Sequence, residues 1–374
     1  MRAILVGVQK KGETKSEAVQ SINELAGLVE AIGGKVLGKL LQKRDIPDPS
    51  TYIGKGRVGD LNVLVEGTKA DTVVFDDPLT PSQVKELEKR INARVLDRTD
   101  LVLEIFTKRA RTKEAKLQVE LARLQHELPR LYGKGAALSR QAGGIGGRGP
   151  GEQEAEIRRR ILKKRIHLIK KELEEIKKRR REQRKRRIKE VSKEGAFVRV
   201  AIVGYTNVGK STLMRALTGR EVFSKDMLFA TLDTTTSSRF VYPDLKILFT
   251  DTVGFINKLP TELIEAFKAT LEEVEEADIV LHVVDATDPK WLEKIETVNG
   301  ILSKLNLEGK PQIVAFNKVD CLVSSPEEFH LLDHSMVLKE TPSVYVSAVK
   351  KWNINRLLDT IRALAVGERE YGSV

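Results

Sequence analysis

A single cysteine, Cys321, stands in a chain of 374 residues, so a disulfide framework is ruled out and a reducing compartment is expected. The histidines lie scattered at positions 126, 167, 282, 330 and 334, and no His/Cys group has the spacing of a structural zinc site. Apolar runs are short. None approaches the roughly 18 residues that a membrane span needs, and the strand-like run within residues 1–8 is too brief for the apolar core of a signal peptide. The expectation is a cytoplasmic, monomeric protein with no stable membrane association.

Charge, by contrast, is abundant: 32% of residues are Asp, Glu, Lys or Arg, and the formal net charge is +12. It is also localised. Residues 157–193 hold 19 Lys or Arg against 5 Asp or Glu, a net of +14, so the rest of the chain sums to about −2. One basic element in an otherwise near-neutral protein points to a polyanion-binding arm.

From Ala196 onward, apolar runs (198–203, 247–249, 279–284, 313–316 and 344–346) alternate with amphipathic helical stretches, the pattern of a parallel sheet covered on both faces. Residues 1–97 repeat the alternation on a smaller scale. Between them, Leu103, Phe106, Ala110, Lys113, Leu117, Leu121, Leu124, Leu128 and Leu131 form a seam expected on one long helix, and Leu162, Ile166, Ile169, Leu173 and Ile176 form a second. Three–four spacing on two helices predicts an antiparallel coiled-coil hairpin. Its connector, residues 133–151, carries 8 glycines with Arg140 and Arg148 among them, a composition that lets backbone approach phosphates closely. The fold class expected is α/β: a small α/β domain (1–97), a helical hairpin with a Gly-rich loop (98–195), a P-loop GTPase domain with a mostly parallel sheet (196–366) and a tail (367–374).

The chemistry sits in the P-loop domain. Gly204, Tyr205, Thr206, Asn207, Val208, Gly209, Lys210 and Ser211 follow a strand and open a helix, the setting of a phosphate loop. Its N–H groups and the helix N-terminus wrap phosphates, Lys210 reaches the β- and γ-phosphates, and the Ser211 hydroxyl serves Mg²⁺. Asp251, Thr252, Val253 and Gly254 end a later strand, placing a carboxylate near the Mg²⁺ shell and the Gly254 N–H toward the γ-phosphate. Asn317, Lys318, Val319 and Asp320 end another, where the Asp320 carboxylate can accept the guanine N1–H and N2–H₂; adenine offers no such donor pair. Ser347 and Ala348 end the last strand, with backbone N–H groups for the guanine O6. Four short motifs in order, each at a strand's carboxyl end, specify GTP as substrate and GDP as product. A switch threonine for Mg²⁺ is expected among Thr231, Thr234, Thr235 and Thr236. Phe255 stands where Ras-like GTPases carry a water-orienting glutamine, so slow intrinsic hydrolysis with partner stimulation is expected.

With residues 204–211, Phe229, Ala230, Thr231, Leu232 and Asp233, and 251–256, the chain resembles the HflX family of GTPases. Tyr52–Gly56, residues 75–77, 116–121, 128–131 and 143–152 extend the resemblance over nearly its whole length, while Arg158 departs from the Asp often found there. The resemblance implies that Thr231 is the switch hydroxyl and that Phe255 is ordinary for this group, which makes Lys210, Thr231 and Gly254 the expected catalytic set. It also implies binding to the large ribosomal subunit and its RNA, with a part in rescuing or splitting stalled ribosomes. The RNA-contacting candidates are Arg140, Arg148, Arg179, Arg180, Arg181, Arg184, Lys185, Arg186 and Arg187. Two other readings compete: a GTP-regulated protein–protein adaptor, and an NTPase with a second nucleotide site near Gly54–Arg57.

Overall fold

The computed structural model describes residues 1–130, 150–191, 196–219, 229, 235–240, 245–258, 263, 273–304, 307, 309–332, 338 and 341–367. Its contacts divide the chain into two compact units, one built on Met1–Glu175 and one on Ile176–Lys258 with Phe267–Val374.

The first unit opens as a run of parallel strands and helices: β1 (Arg2–Gln9), α1 (Lys15–Ala31), β2 (Lys35–Lys43), α2 (Lys55–Thr68), β3 (Thr72–Phe75), α3 (Pro81–Arg90), β4 (Arg94–Asp97) and α4 (Arg98–Arg109). The sheet order is β2-β1-β3-β4, and every pairing is parallel. Helix starts are written locally. Thr14 with Glu17, Thr80 with Gln83 and Asp97 with Asp100 each form a reciprocal capping box that satisfies otherwise orphaned N–H groups. Asp97 and Asp100 also lie beside His126, but the Asp97 oxygens already accept from the N–H groups of Asp100 and Leu79, at 2.8 and 3.1 Å.

At the carboxyl edge of this sheet, polar groups meet one another. Arg98, only 1% exposed, donates to Asp76 Oδ1, Glu24 Oε2 and the Ser21 carbonyl at 3.1, 3.1 and 2.8 Å. Ser21 Oγ donates to Asp76 Oδ2 at 2.7 Å, and Lys10 Nζ holds Asp77 Oδ1 at 3.0 Å.

The seam expected along one helix from Leu103 is broken. α4 stops at Ala110, whose ψ of 111° is extended, and α5 (Lys113–Arg130) restarts with Thr112 Oγ1 accepting the Ala115 N–H at 3.1 Å. Leu103 and Phe106 therefore belong to α4, which packs on α1 and β4, while Leu117 and Leu121 bury on α5. α6 (Pro150–Val191) runs antiparallel to α5: Lys113 pairs with Glu172 and Glu120 with Arg165, seven residues on in one helix and seven back in the other. Ile169 is fully buried, and Leu162, Ile166 and Leu173 are half-buried, as a single apolar seam requires.

The second unit holds β5 (Ala196–Gly204), α7 (Lys210–Thr218), β6 (Thr235–Phe240), β7 (Leu245–Asp251), β8 (Ile279–Asp285), α8 (Trp291–Lys304), β9 (Gln312–Asn317), β10 (Ser343–Tyr345) and α9 (Ile354–Val366). The six-stranded order is β10-β9-β8-β5-β7-β6, parallel throughout except for β6, which pairs antiparallel with β7. The central strands are buried on both faces, as their unbroken apolar runs require. Among the described residues, no helix is long and apolar enough to cross a membrane.

Candidate nucleotide site

Four loops leave the carboxyl ends of β5, β7, β9 and β10, and side chains tie them together. The loop after β5 needs glycine at two points for different reasons. Gly204 has φ +149°, and a Cβ there would stand 2.3 Å from the Val283 carbonyl; Gly209 has φ +90°, and its Cβ would meet Asn317 Nδ2 at 2.4 Å. Lys210 opens α7, buried, with Nζ donating to the carbonyls of Gly204 and Tyr205 at 3.1 and 2.8 Å. Burial pushes its pKa down to about 8, with the Asp251 carboxylate opposing the shift.

Ser211 Oγ donates to Asp251 Oδ2 at 2.6 Å, which joins the phosphate loop to the end of β7. The same pair of segments is bridged through backbone: Thr206 N–H donates to the Phe255 carbonyl at 2.7 Å, and Phe255 N–H to the Gly204 carbonyl at 3.1 Å. Phe255 itself is 3% exposed and packs in the main core, so its ring holds the segment down. Gly254 sits where any Cβ would lie 2.8 Å from Thr206 Cγ2 and 3.0 Å from Lys210 Nζ. Thr252 Oγ1 turns inward to the Ile202 carbonyl at 2.8 Å.

Asn317 is the hub. Its Nδ2 donates to the Val208 carbonyl at 2.8 Å and its Oδ1 accepts the Ala348 N–H at 3.0 Å, linking the loops after β5, β9 and β10. Lys318, at φ +68°, turns the chain so that Asp320 begins clear of the strand, and its Nζ pairs with Asp285 Oδ2 at 2.6 Å. Ser347 is buried, and its Oγ accepts the Lys350 N–H at 3.0 Å.

Three family models match the chain: GTP-binding GTPase N-terminal over residues 19–107, GTP-binding GTPase Middle Region over 109–187, and 50S ribosome-binding GTPase over 199–318. The GTPase HflX of Caldanaerobacter subterraneus subsp. tengcongensis is 45% identical over 369 residues, 99% of this chain and 82% of its own length. The chain belongs to the HflX GTPase family. The GTPases HflX of Flavobacterium psychrophilum and Escherichia coli are 46% and 42% identical, over 85% and 83% of this chain and 75% and 71% of theirs. A solved GTP-binding protein of Sulfolobus solfataricus in complex with GDP aligns over 98% of this chain and 99% of its own, at 26% identity and a TM-score of 0.47.

As an HflX-family GTPase, the chain binds GTP and hydrolyses it to GDP. Gly204–Ser211, Asp251–Gly254, Asn317–Asp320 and Ser347–Ala348 come together in the second unit. Phe229 is buried with φ +56°, while Ala230, Thr231, Leu232, Asp233 and Thr234 lie outside the described residues; Thr235 and Thr236 begin β6. Arg140 and Arg148 also lie outside them. Arg179, Arg180 and Arg181 lie on α6, the first and last exposed, and Arg184, Lys185, Arg186 and Arg187 follow on the same helix.

Three residues take roles that no short motif predicts. His282 on β8 is 1% exposed, accepts from Gln312 Nε2 at 3.0 Å and has its pKa lowered to about 3 by burial and by Lys210. Lys294 lies 4.7 Å over the Tyr205 ring and pairs with Asp288, fixing the phosphate-loop tyrosine from α8. Asn317 is legible as a motif letter, but its cross-linking role requires three loops in space.

Proposed function

We propose that this GTPase is a switch whose nucleotide state sets its affinity for the large ribosomal subunit, and that it acts in rescuing or splitting stalled ribosomes. The chain is read as three parts, with residues 1–97 and the hairpin 98–195 docking and 196–366 switching. In the site, backbone N–H groups of Gly204–Gly209 wrap the phosphates, Lys210 counters their charge, and Gly254 N–H meets the γ-phosphate. Asp320 reads guanine, with Ser347 and Ala348 at its O6.

Ser211 Oγ and Asp251 Oδ2, 2.6 Å apart, are hard oxygen donors of the kind Mg²⁺ selects, so the residues fit that ion. Ser211 and Thr231 would hold it, with Asp251 behind, and it supplies charge neutralisation between the β- and γ-phosphates when bound. Phe255 offers no hydrogen bond to an attacking water and is held in the core. Fast hydrolysis therefore needs a group from elsewhere, and the ribosome is the partner that supplies the stimulus.

The observation that carries the ribosomal reading is the net charge of +14 on residues 157–193, beside a GTPase region matched by a family described as 50S ribosome-binding. Contacts of such an arm are mostly to phosphate and weaken with salt. Co-sedimentation with large ribosomal subunits tests it, with a non-hydrolysable GTP analogue and with GDP over a salt series. Tighter binding with the GTP analogue and a steep negative salt slope are expected. Binding that ignores both nucleotide and salt would sink the proposal and leave a protein–protein adaptor.

A further inference from the structure

Residues 196–366 carry 19 Lys and Arg against 23 Asp and Glu, a net of −4. Against that acidic background, one surface cavity of about 550 Å³ gathers three cations, Arg239, Lys351 and Arg356, with Asn353 and Asn355 and no carboxylate in its lining. Three elements build it: Ala216 and Gly219 at the end of α7, Arg239 on β6, and the turn from Lys351 into the start of α9. No residue of the four nucleotide loops lines it.

The cations differ in how they are held. Arg239 Nη1 donates to the Leu217 carbonyl at 2.7 Å, which fixes one guanidinium in the wall. Lys351 and Arg356 are exposed at the rim, where their long stems carry charge to the mouth of the cavity. Like charges gathered around one concavity repel, and an anion placed among them relieves the repulsion. Guanidinium groups take two phosphate oxygens at once, and the two asparagine amides add neutral donors and acceptors. The cavity is open and has little apolar lining beyond Ala216 and Ile354, so it suits a phosphate carried on an extended backbone better than an enclosed apolar ligand.

We propose that this cavity is a second phosphate-binding site, one that seats a backbone phosphodiester of structured RNA on the GTPase region itself. The inference rests on the ribosomal reading above and adds a docking point outside the basic arm.

The test uses the full chain with K351Q/R356Q, the charge-keeping K351R/R356K, and the arm variant R179Q/R180Q/R181Q. Binding to large ribosomal subunits is measured over a salt series. K351Q/R356Q should weaken binding about 10-fold and reduce the log–log salt slope by up to about two units, near one for each phosphate no longer neutralised. GDP affinity and basal hydrolysis should stay unchanged, and K351R/R356K should bind as the parent does. If K351Q/R356Q keeps affinity and slope while the arm variant loses both, the cavity is not an RNA site and the ribosomal reading stands. If the parent chain does not bind subunits at all, both fail together. Thermal shift with millimolar inorganic phosphate, at saturating GDP, separates the source of the anion. Stabilisation abolished in K351Q/R356Q without any change in subunit binding would assign the cavity to free phosphate and overturn the RNA proposal.

Discussion

At the carboxyl edge of the first sheet, Arg98 is enclosed by Asp76, Glu24 and Ser21, and Lys10 holds Asp77. At the carboxyl edge of the second, Gly204, Gly209 and Gly254 sit where a Cβ would strike a carbonyl, an amide or an ammonium. Both sheets are parallel around their first strand, and open α/β sheets bind ligands at this edge. Yet the first edge is filled by side chains that satisfy one another, and the second is kept narrow by glycines that let backbone N–H groups reach outward. Architecture makes the edge available; the residues on it decide whether it is a core or a cradle. Gly54, which reads as a phosphate-touching turn in sequence, is the N-cap of α2, and Lys55 to Arg57 form that helix's first turn.

Breaking the filled edge should have the largest effect. Arg98→Ala leaves Asp76 and Glu24 without their buried partner and should destabilise the first unit by about 3–5 kcal/mol. Both tryptophans, Trp291 and Trp352, lie in the second unit. Far-UV circular dichroism should therefore show an early transition in urea while tryptophan fluorescence keeps its midpoint and GTP affinity holds. A shift of the fluorescence transition alone would mean that Arg98 does not serve the first sheet.

Breaking the cradle should do the opposite. Gly209→Ala forces a side chain into φ +90° and against Asn317 Nδ2, whose amide group joins three loops. A loss of roughly 3 kcal/mol, ~100-fold in GTP affinity, is expected in a fluorescent-nucleotide titration, with little change in circular dichroism. Unchanged affinity would remove Gly209 from the site.

A smaller effect comes from His282, on the strand beneath the cradle. Its folded pKa of about 3 lies below the ordinary 6.5, so the unfolded chain takes up the proton first. Stability is therefore full above pH 6.5 and falls as pH drops toward 3, with about 2 kcal/mol gone by pH 5. His282→Gln should flatten that part of the pH dependence in urea unfolding followed by tryptophan fluorescence. An unaltered pH profile would show that His282 is not the group responsible.

The arm gives the smallest effect on stability. Arg179 and Arg181 are exposed, so R179Q/R180Q/R181Q should move the folding free energy by no more than about 0.5 kcal/mol while reducing the salt slope of subunit binding. A large loss of stability would recast those arginines as part of the hairpin's packing.

Sequence alone determined the elements whose information is local or periodic. The buried strands of the second sheet are legible as apolar runs because parallel strands covered on both faces tolerate little else. The four nucleotide motifs are legible because each is short and fixed by contact with one part of a nucleotide. The hairpin seam is legible because a coiled coil repeats every seven residues, as the Lys113–Glu172 and Glu120–Arg165 pairs repeat. Two elements escaped. α2 is marked by Gly54, Gly56, Gly59 and Gly67, which read as turns, although Val58, Leu61 and Val65 bury at helical spacing. The break at Ala110–Thr112 escaped because the three–four spacing continues through it, and only docking of α4 onto the first sheet ends the helix there. What the tertiary structure alone decided is which polar groups meet. Arg98 finds Asp76 22 residues away, Ser211 finds Asp251 40 away, and Asn317 finds Val208 109 away. Such pairings depend on where strands end relative to one another in the sheet, and no local pattern of residues carries that distance.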